Sequence, residues 1–131
     1  DPETFADAVL QVLDDTGVIR RSTIQSFDPR TLIVANARKQ PVRLALLIAS
    51  SADNGVADNL KMLPFTPDIY SPDYTLVTEA MIAGAHHRDM DVIPWTVNDP
   101  DEMERLVGLG VDGLITDYPD RAVAVLDTWS Q

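Results

Sequence analysis

The sequence predicts an α/β chain in which parallel strands alternate with helices, and three observations carry that prediction. Five short β-rich runs, starting near positions 23, 44, 69, 92 and 113, recur every 21 to 25 residues, which is the length of one βα unit. Most are followed by helix-opening signals, of which Asp28-Pro29 and Asp99-Pro100 are the clearest. Polar or aromatic residues gather at nearly every strand end: Ser26-Phe27, Tyr70-Ser71, Trp95 with Asn98, and Thr116-Asp117. A flavodoxin-like open sheet, the natural reading for five strands in 131 residues, concentrates its ligand residues at one switch point. Residues from many strand ends converging on one mouth indicate instead a (β/α)8, or TIM, barrel, and the leading helix agrees with this. The predicted order is α(βα)5.

The opening helix over 1–17 has Asp1 as N-cap, Pro2 in the first turn and Gly17 as its stop, with Phe5, Ala8, Val9, Val12 and Leu13 at helical spacing. A strand follows over 23–27, then a helix near 30–37 opened by Asp28-Pro29. Leu44 to Ile48 form the second strand, and a polar loop leads to a weak helix near 56–63. Ile69-Tyr70 make a short third strand, after which Thr78 caps a helix rich in alanine. Val92 to Val97 form the fourth strand. The spacing from Asp99 to Glu102 predicts a capping box for the next helix, whose buried face is Met103, Leu106 and Val107 and whose stop is Gly110. Gly113 to Asp117 form the fifth strand, and Asp120 caps a last helix with Ala122, Val123, Val125, Leu126 and Trp129 inward.

With 45% hydrophobic residues the chain has enough apolar side chains for one core, and residues 1–131 read as one domain or one piece of a domain. Ten Lys and Arg stand against 21 Asp and Glu, a formal charge of −11, and no basic stripe tracks a phosphate backbone. Nucleic acid is therefore not expected as a partner. Arg38-Lys39 reads as a helix C-terminus facing the dipole. The absence of cysteine excludes disulfides, Cys-ligated zinc and a thiol nucleophile. No membrane span is expected, because no run approaches about 18 consecutive apolar residues, and the first residues do not resemble a signal peptide. Nothing in the sequence assigns a compartment.

Three segments resemble the glycerophosphodiester phosphodiesterases: Gln25-Ser26-Phe27-Asp28, then Tyr70-Ser71-Pro72-Asp73-Tyr74, then Val92-Ile93-Pro94-Trp95-Thr96-Val97-Asn98 with Gly110-Val111-Asp112-Gly113-Leu114-Ile115-Thr116-Asp117-Tyr118-Pro119. Their order is similar to strands four to eight of that family, over nearly the whole chain. The resemblance implies a TIM barrel of which residues 1–131 supply about the last five βα units, as the C-terminal portion of an incomplete domain. It also implies metal-dependent hydrolysis of a glycerophosphodiester to glycerol 3-phosphate and an alcohol of unspecified identity. The family's catalytic and metal-binding groups, a His-Arg-Gly, a Glu-x-Asp pair, a second His and a Glu followed by Lys, belong to its first three strands. None of these motifs occurs here. The expected divalent ion (Mg or Ca) and the catalytic groups therefore have no ligands or residues in this chain, and the absent N-terminal half of the barrel is the expected partner. A pocket built from this segment alone offers Asp117 and Asp28 with no nearby cation and repels a phosphodiester.

Within the resemblance, Trp95 matches a tryptophan lining the substrate pocket, Phe27 flanks the glycerol moiety, and Ser26 and Asn98 are candidate polar contacts. Each also has a structural reading: Trp95 as barrel filling, Ser26 as the strand's end, Asn98 as a competitor of Asp99 for the next helix cap. Thr116 and Asp117 read as turn residues before Tyr118-Pro119. His86 and His87 end a helix of the outer layer and read as surface residues. The alternative function is a non-catalytic α/β module that binds a small ligand.

Overall fold

The rows of side chains beneath the helices and those on the open face of the sheet follow from a register that repeats along four parallel strands. In this computed structural model, which describes residues 1–131, β1 (Thr23–Ser26), β2 (Arg43–Ile48), β3 (Ile69–Pro72) and β4 (Asp91–Val92) lie in chain order in one sheet. Ser26, Leu46, Tyr70 and Val92 stand in one row. Apart from Ser26 they are completely buried and form the centre of the core between sheet and helices. The neighbouring row, Gln25, Ala45 and Ile69, points to the opposite face, as the two-residue period of a strand requires.

The helices are α1 (Pro2–Asp15), α2 (Pro29–Ala37), α3 (Val56–Asn59), α4 (Glu79–His86), α5 (Pro100–Leu109) and α6 (Pro119–Trp129). Asp1, Asp28, Thr78 and Asp99 cap α1, α2, α4 and α5 with side-chain acceptors, as their sequence positions predict. Gly110, at φ 95°, ends α5 in a left-handed conformation that suits glycine. No helix is long and apolar enough to cross a membrane.

Several sequence expectations need correction. The buried face of α1 is Ala6 and Leu10 with Val9 and Leu13 beside them, while Phe5 and Val12 are exposed. α1 lies against α2 rather than on the sheet, so its buried stripe is turned from the expected one. Arg38 does not merely face a helix dipole: its guanidinium bridges α2 to α1 through Asp7 (2.7 and 2.9 Å) and Glu3 (3.0 Å). The capping box at α5 is half made, because Asp99 accepts from the Asp101 N–H while Glu102 turns to Arg105. Asp120 is not a cap; Tyr118 occupies that position without a side-chain bond. On α6 only Ala122 and Val125 are buried, and Val123, Leu126 and Trp129 are exposed.

The fourth and fifth strands are also weaker than expected. β4 is assigned only at Asp91–Val92, although its backbone stays bonded to β3 through the Ile93 and Trp95 N–H groups. Residues 113–117 form no regular strand; together with Asp112 they are tied to the fourth by three backbone bonds, Asp112 N–H to Val92, Ile115 N–H to Pro94 and Val97 N–H to Ile115. Two prolines explain this: Pro72 has no N–H for the Ile93 carbonyl, which accepts from the Ser71 hydroxyl instead, and Pro94 is the matching gap on the other side of the fourth strand. Pro94 has no N–H to extend a ladder towards the fifth run.

Candidate functional site

The C-terminal ends of the parallel strands meet at one rim, and alternation decides which side chains face it. Gln25, Phe27, Leu47, Trp95, Thr96 and Ile115 line a cavity of about 210 Å3 there. A second cavity of about 220 Å3 continues along the same open face of the sheet, between Thr23, Gln25, Ala45, Ile69, Ser71 and its neighbours. Two larger hollows lie elsewhere, one at the other end of the strands around Lys39, Phe65 and Asp68, and one between α1 and Arg38. Neither contains a residue from the strand-end motifs.

Phe27 and Trp95 come from strands that are not neighbours and meet edge to face, with ring centroids 5.4 Å apart at 89°. The indole is held in this pose by its own N–H, which donates to the Ser71 carbonyl at 2.9 Å. Ser71 in turn donates its hydroxyl to the Ile93 carbonyl at 2.6 Å, so β3 is stitched to the fourth strand beneath the rings. Phe27 remains 55% exposed, a large apolar ring facing the cavity rather than the core.

The two polar candidates are placed differently. Ser26 stands in the row under the helices, and its hydroxyl accepts from the Asp28 N–H at 3.0 Å, closing the turn into α2. Asn98 is the hub of the last strand-end loop. Its amide oxygen accepts from the Asp117 N–H (3.0 Å) and the Thr116 hydroxyl (3.2 Å), its amide nitrogen donates to the Asp117 carboxylate (2.9 Å), and its carbonyl accepts from Arg121 (3.0 Å). Arg121 also lies 3.9 Å from the centroid of the Tyr118 ring.

The carboxylates of the rim are engaged locally. Asp28 caps α2 and chelates the Arg30 guanidinium, and that hydrogen bonding holds its carboxyl below the usual carboxylate range. Asp73 accepts from Thr75, Asp99 from the Asp101 N–H, and Asp117 from Asn98. Behind the rim, Asn59 donates to the Tyr70 hydroxyl (2.7 Å) and to Asp53 (2.9 Å), tying the loop after β2 to the buried face of β3. Burial pushes the Tyr70 phenol up. His86 sits on the outer helix layer against Asp112, at 2.7 Å, and away from the aromatic cavity.

No group of three or more His, Asp or Glu side chains comes together that would hold a metal ion. The residues present therefore do not fit a divalent cation by themselves, and no chemical step in this segment is routed through one. Sequence reasoning quoted Gln25 and Ser71 without giving either a part in the site. The two-residue strand period, which puts Gln25 on the face of Phe27, was the available signal for the first; the support that Ser71 gives Trp95 has no sequence signal.

A four-stranded parallel sheet backed by helices, with aromatic side chains from separate strands at its C-terminal rim, has the architecture of one part of an α/β barrel. The comparisons narrow this to one family. Residues 2–121 match the glycerophosphoryl diester phosphodiesterase family, and the chain belongs to it. An uncharacterized Bacillus subtilis protein, YqiK, is 28% identical over 127 residues, covering 95% of this chain and 51% of its own length. A glycerophosphodiester phosphodiesterase of Bacillus altitudinis is 39% identical over 49 residues, 37% of this chain and 20% of the relative. Among solved structures, a glycerophosphodiester phosphodiesterase of Parabacteroides distasonis superposes with a TM-score of 0.83 at 21% identity, over 99% of this chain and 53% of that one. An Oleispira antarctica phosphodiesterase in complex with the product sn-glycerol-3-phosphate gives 0.80 at 17% identity, over 96% and 50%. These likenesses establish the fold as part of a TIM barrel. The chain spans about half the length of YqiK and of both solved structures.

Proposed function

We propose that this segment is the C-terminal part of a glycerophosphodiester phosphodiesterase domain and forms the substrate-holding wall of its mouth. The observation that carries the reading is the Phe27–Trp95 pair, an edge-to-face couple of an exposed and a half-buried ring at the strand ends of a chain that belongs to this family. Its rings offer an apolar face to the C–H surface of a glycerol moiety. Asn98 and Ser26 shape the rim around them, Asn98 by holding the loop at Thr116 and Asp117 and Ser26 by closing the turn into α2.

In this reading the reaction is hydrolysis of a glycerophosphodiester to glycerol 3-phosphate and an alcohol. The acid–base groups and the positive charge that a phosphodiester needs come from the barrel strands outside these residues, as do the ligands of a divalent ion. The rim is not free of cations, as the sequence led one to expect, but its charges are already engaged: Asp28, Asp73, Asp99 and Asp117 serve turns and caps, Arg30 pairs with Asp28 and Arg121 donates to the Asn98 carbonyl. The test is release of glycerol 3-phosphate from glycerophosphocholine by the full-length protein, with and without a chelator. Activity that is lost with chelator and restored by Mg or Ca is the expected result, and no release under any metal condition would overturn the proposal.

A further inference from the structure

Between the end of α2 and the loop that leads into β3 lies a hollow of about 300 Å3, at the opposite end of the strands from the aromatic mouth. That volume reaches the range of small-molecule pockets. Its two sides differ in chemistry: α2 and its end contribute Asn36, Lys39 and Gln40, and the loop contributes the half-buried ring of Phe65 and the carboxylate of Asp68. Lys39 and Asp68 line the same hollow without forming an ion pair. This is unusual in a chain with 21 acidic residues against 10 basic ones, where Arg30, Arg38, Arg43, Lys61 and Arg105 each meet a carboxylate. Nor does the helix end require the lysine charge, since carbonyls of the last turn of α2 already accept from the Arg38 and Lys39 N–H groups. Asp68 uses one oxygen to accept from the Leu44 N–H at 2.8 Å, and its second oxygen has no partner in the chain. The Asn36 and Gln40 amides are likewise without one.

We propose that this hollow binds a small zwitterion, with an organic ammonium against Phe65 and Asp68 and a carboxylate or phosphate against Lys39 and the two amides. A cation is favoured on the loop side by the carboxylate and by the negative face of the ring, and an oxyanion on the α2 side by the ammonium and the amide N–H donors. One ligand carrying both charges satisfies both sides at once. The hollow is built from α2, β2 and the loop before β3, which are consecutive in the chain, so it does not depend on the barrel strands outside these residues. It is separate from the mouth and stands whether or not the proposed function does.

The experiment is calorimetric titration of the full-length protein with glycine betaine and with phosphocholine, which differ in the anion, and with choline, acetate and inorganic phosphate, which carry one charge each. At least one zwitterion should bind, and each single-charge probe about 10-fold more weakly or worse, because hydrogen bonds to charged groups are lost on one side. Which zwitterion binds tells carboxylate from phosphate. Lys39→Asn suits the left-handed backbone at φ 56°, and Asp68→Asn keeps an oxygen for the Leu44 N–H. Each should weaken binding by about 10-fold with little change in melting temperature, and Lys39→Asn decides the matter if Asp68→Asn lowers stability. Trp95→Ala, at the mouth, should leave this binding unchanged. The inference fails if neither zwitterion binds at ~10 mM, where even weak sites fill. It fails equally if a single-charge probe binds as well, or if binding survives Lys39→Asn and is lost with Trp95→Ala, which would place the zwitterion in the mouth.

Discussion

The indole N–H of Trp95 donates to the Ser71 carbonyl at 2.9 Å, so the most prominent aromatic of the mouth is oriented by the backbone of a neighbouring strand and not by packing alone. A side chain held this way meets a ligand without first giving up rotamer freedom. In the full-length protein, Trp95→Ala should lower kcat/KM for glycerophosphodiesters by about 10-fold or more, because a ligand-facing aromatic surface is lost. The melting temperature should fall by much less in proportion. Unchanged kinetics with a large drop in stability would assign Trp95 to barrel packing.

Tyr70 and Asn59 form a pair with no access to water, being 0% and 1% exposed. Tyr70→Phe removes the acceptor of one Asn59 N–H and leaves that donor buried, which costs about 1–3 kcal/mol. Denaturant unfolding measures the difference. The loss should come with faster hydrogen exchange at Asn54, whose N–H is held by the Asn59 amide oxygen.

Asn98→Ala should release the loop at residues 116–118, since one side chain satisfies the Thr116 hydroxyl, the Asp117 N–H and the Asp117 carboxylate. A stability loss of about 1–2 kcal/mol is expected, with exchange of the Asp117 amide accelerated more than that of the core strands. Uniform acceleration across the sheet would mean that Asn98 supports the whole fold and not the rim.

The Arg38 clasp between α1 and α2 should depend on pH. Hydrogen bonding to Arg38 holds the Asp7 carboxyl below its usual range, so the clasp contributes fully above about pH 4, where an unfolded aspartate is ionised, and is lost as pH falls through the still lower folded value. Arg38→Gln should therefore weaken the protein at neutral pH and match the unaltered protein in strong acid. The difference is small because the groups are exposed. A gap that does not narrow as the solution is acidified would contradict the assignment.

The 131-residue chain on its own should be aggregation-prone or dimeric and should not hydrolyse glycerophosphocholine. Its sheet has an unpaired edge at Thr23–Ser26, an irregular one at 113–117, and exposed Phe5, Val12, Val123, Leu126 and Trp129 on its first and last helices. Light scattering and unfolding of the purified chain test this. A monomer with a cooperative transition typical of a complete domain would refute it.

Features that depend on local chemistry and short periods are legible along the chain. Caps at Asp1, Asp28, Thr78 and Asp99, the stop at Gly110, the central strands and the gathering of Phe27 and Trp95 at strand ends were all legible, since a cap or a two-residue alternation is written in neighbouring residues. Tertiary structure decided the rest. Which stripe of α1 is buried depends on α2 and not on α1's own pattern, whereas the Glu102–Arg105 pair that halves the capping box is a local contact within α5. Pro94 reads as one residue of an apolar run until its missing N–H is set against the next strand, where it breaks the ladder. The engagement of Asn98 with Asp117, 19 positions on, exists only once the strands are side by side, because a hydrogen bond is satisfied or left free by what the fold brings within about 3 Å of it.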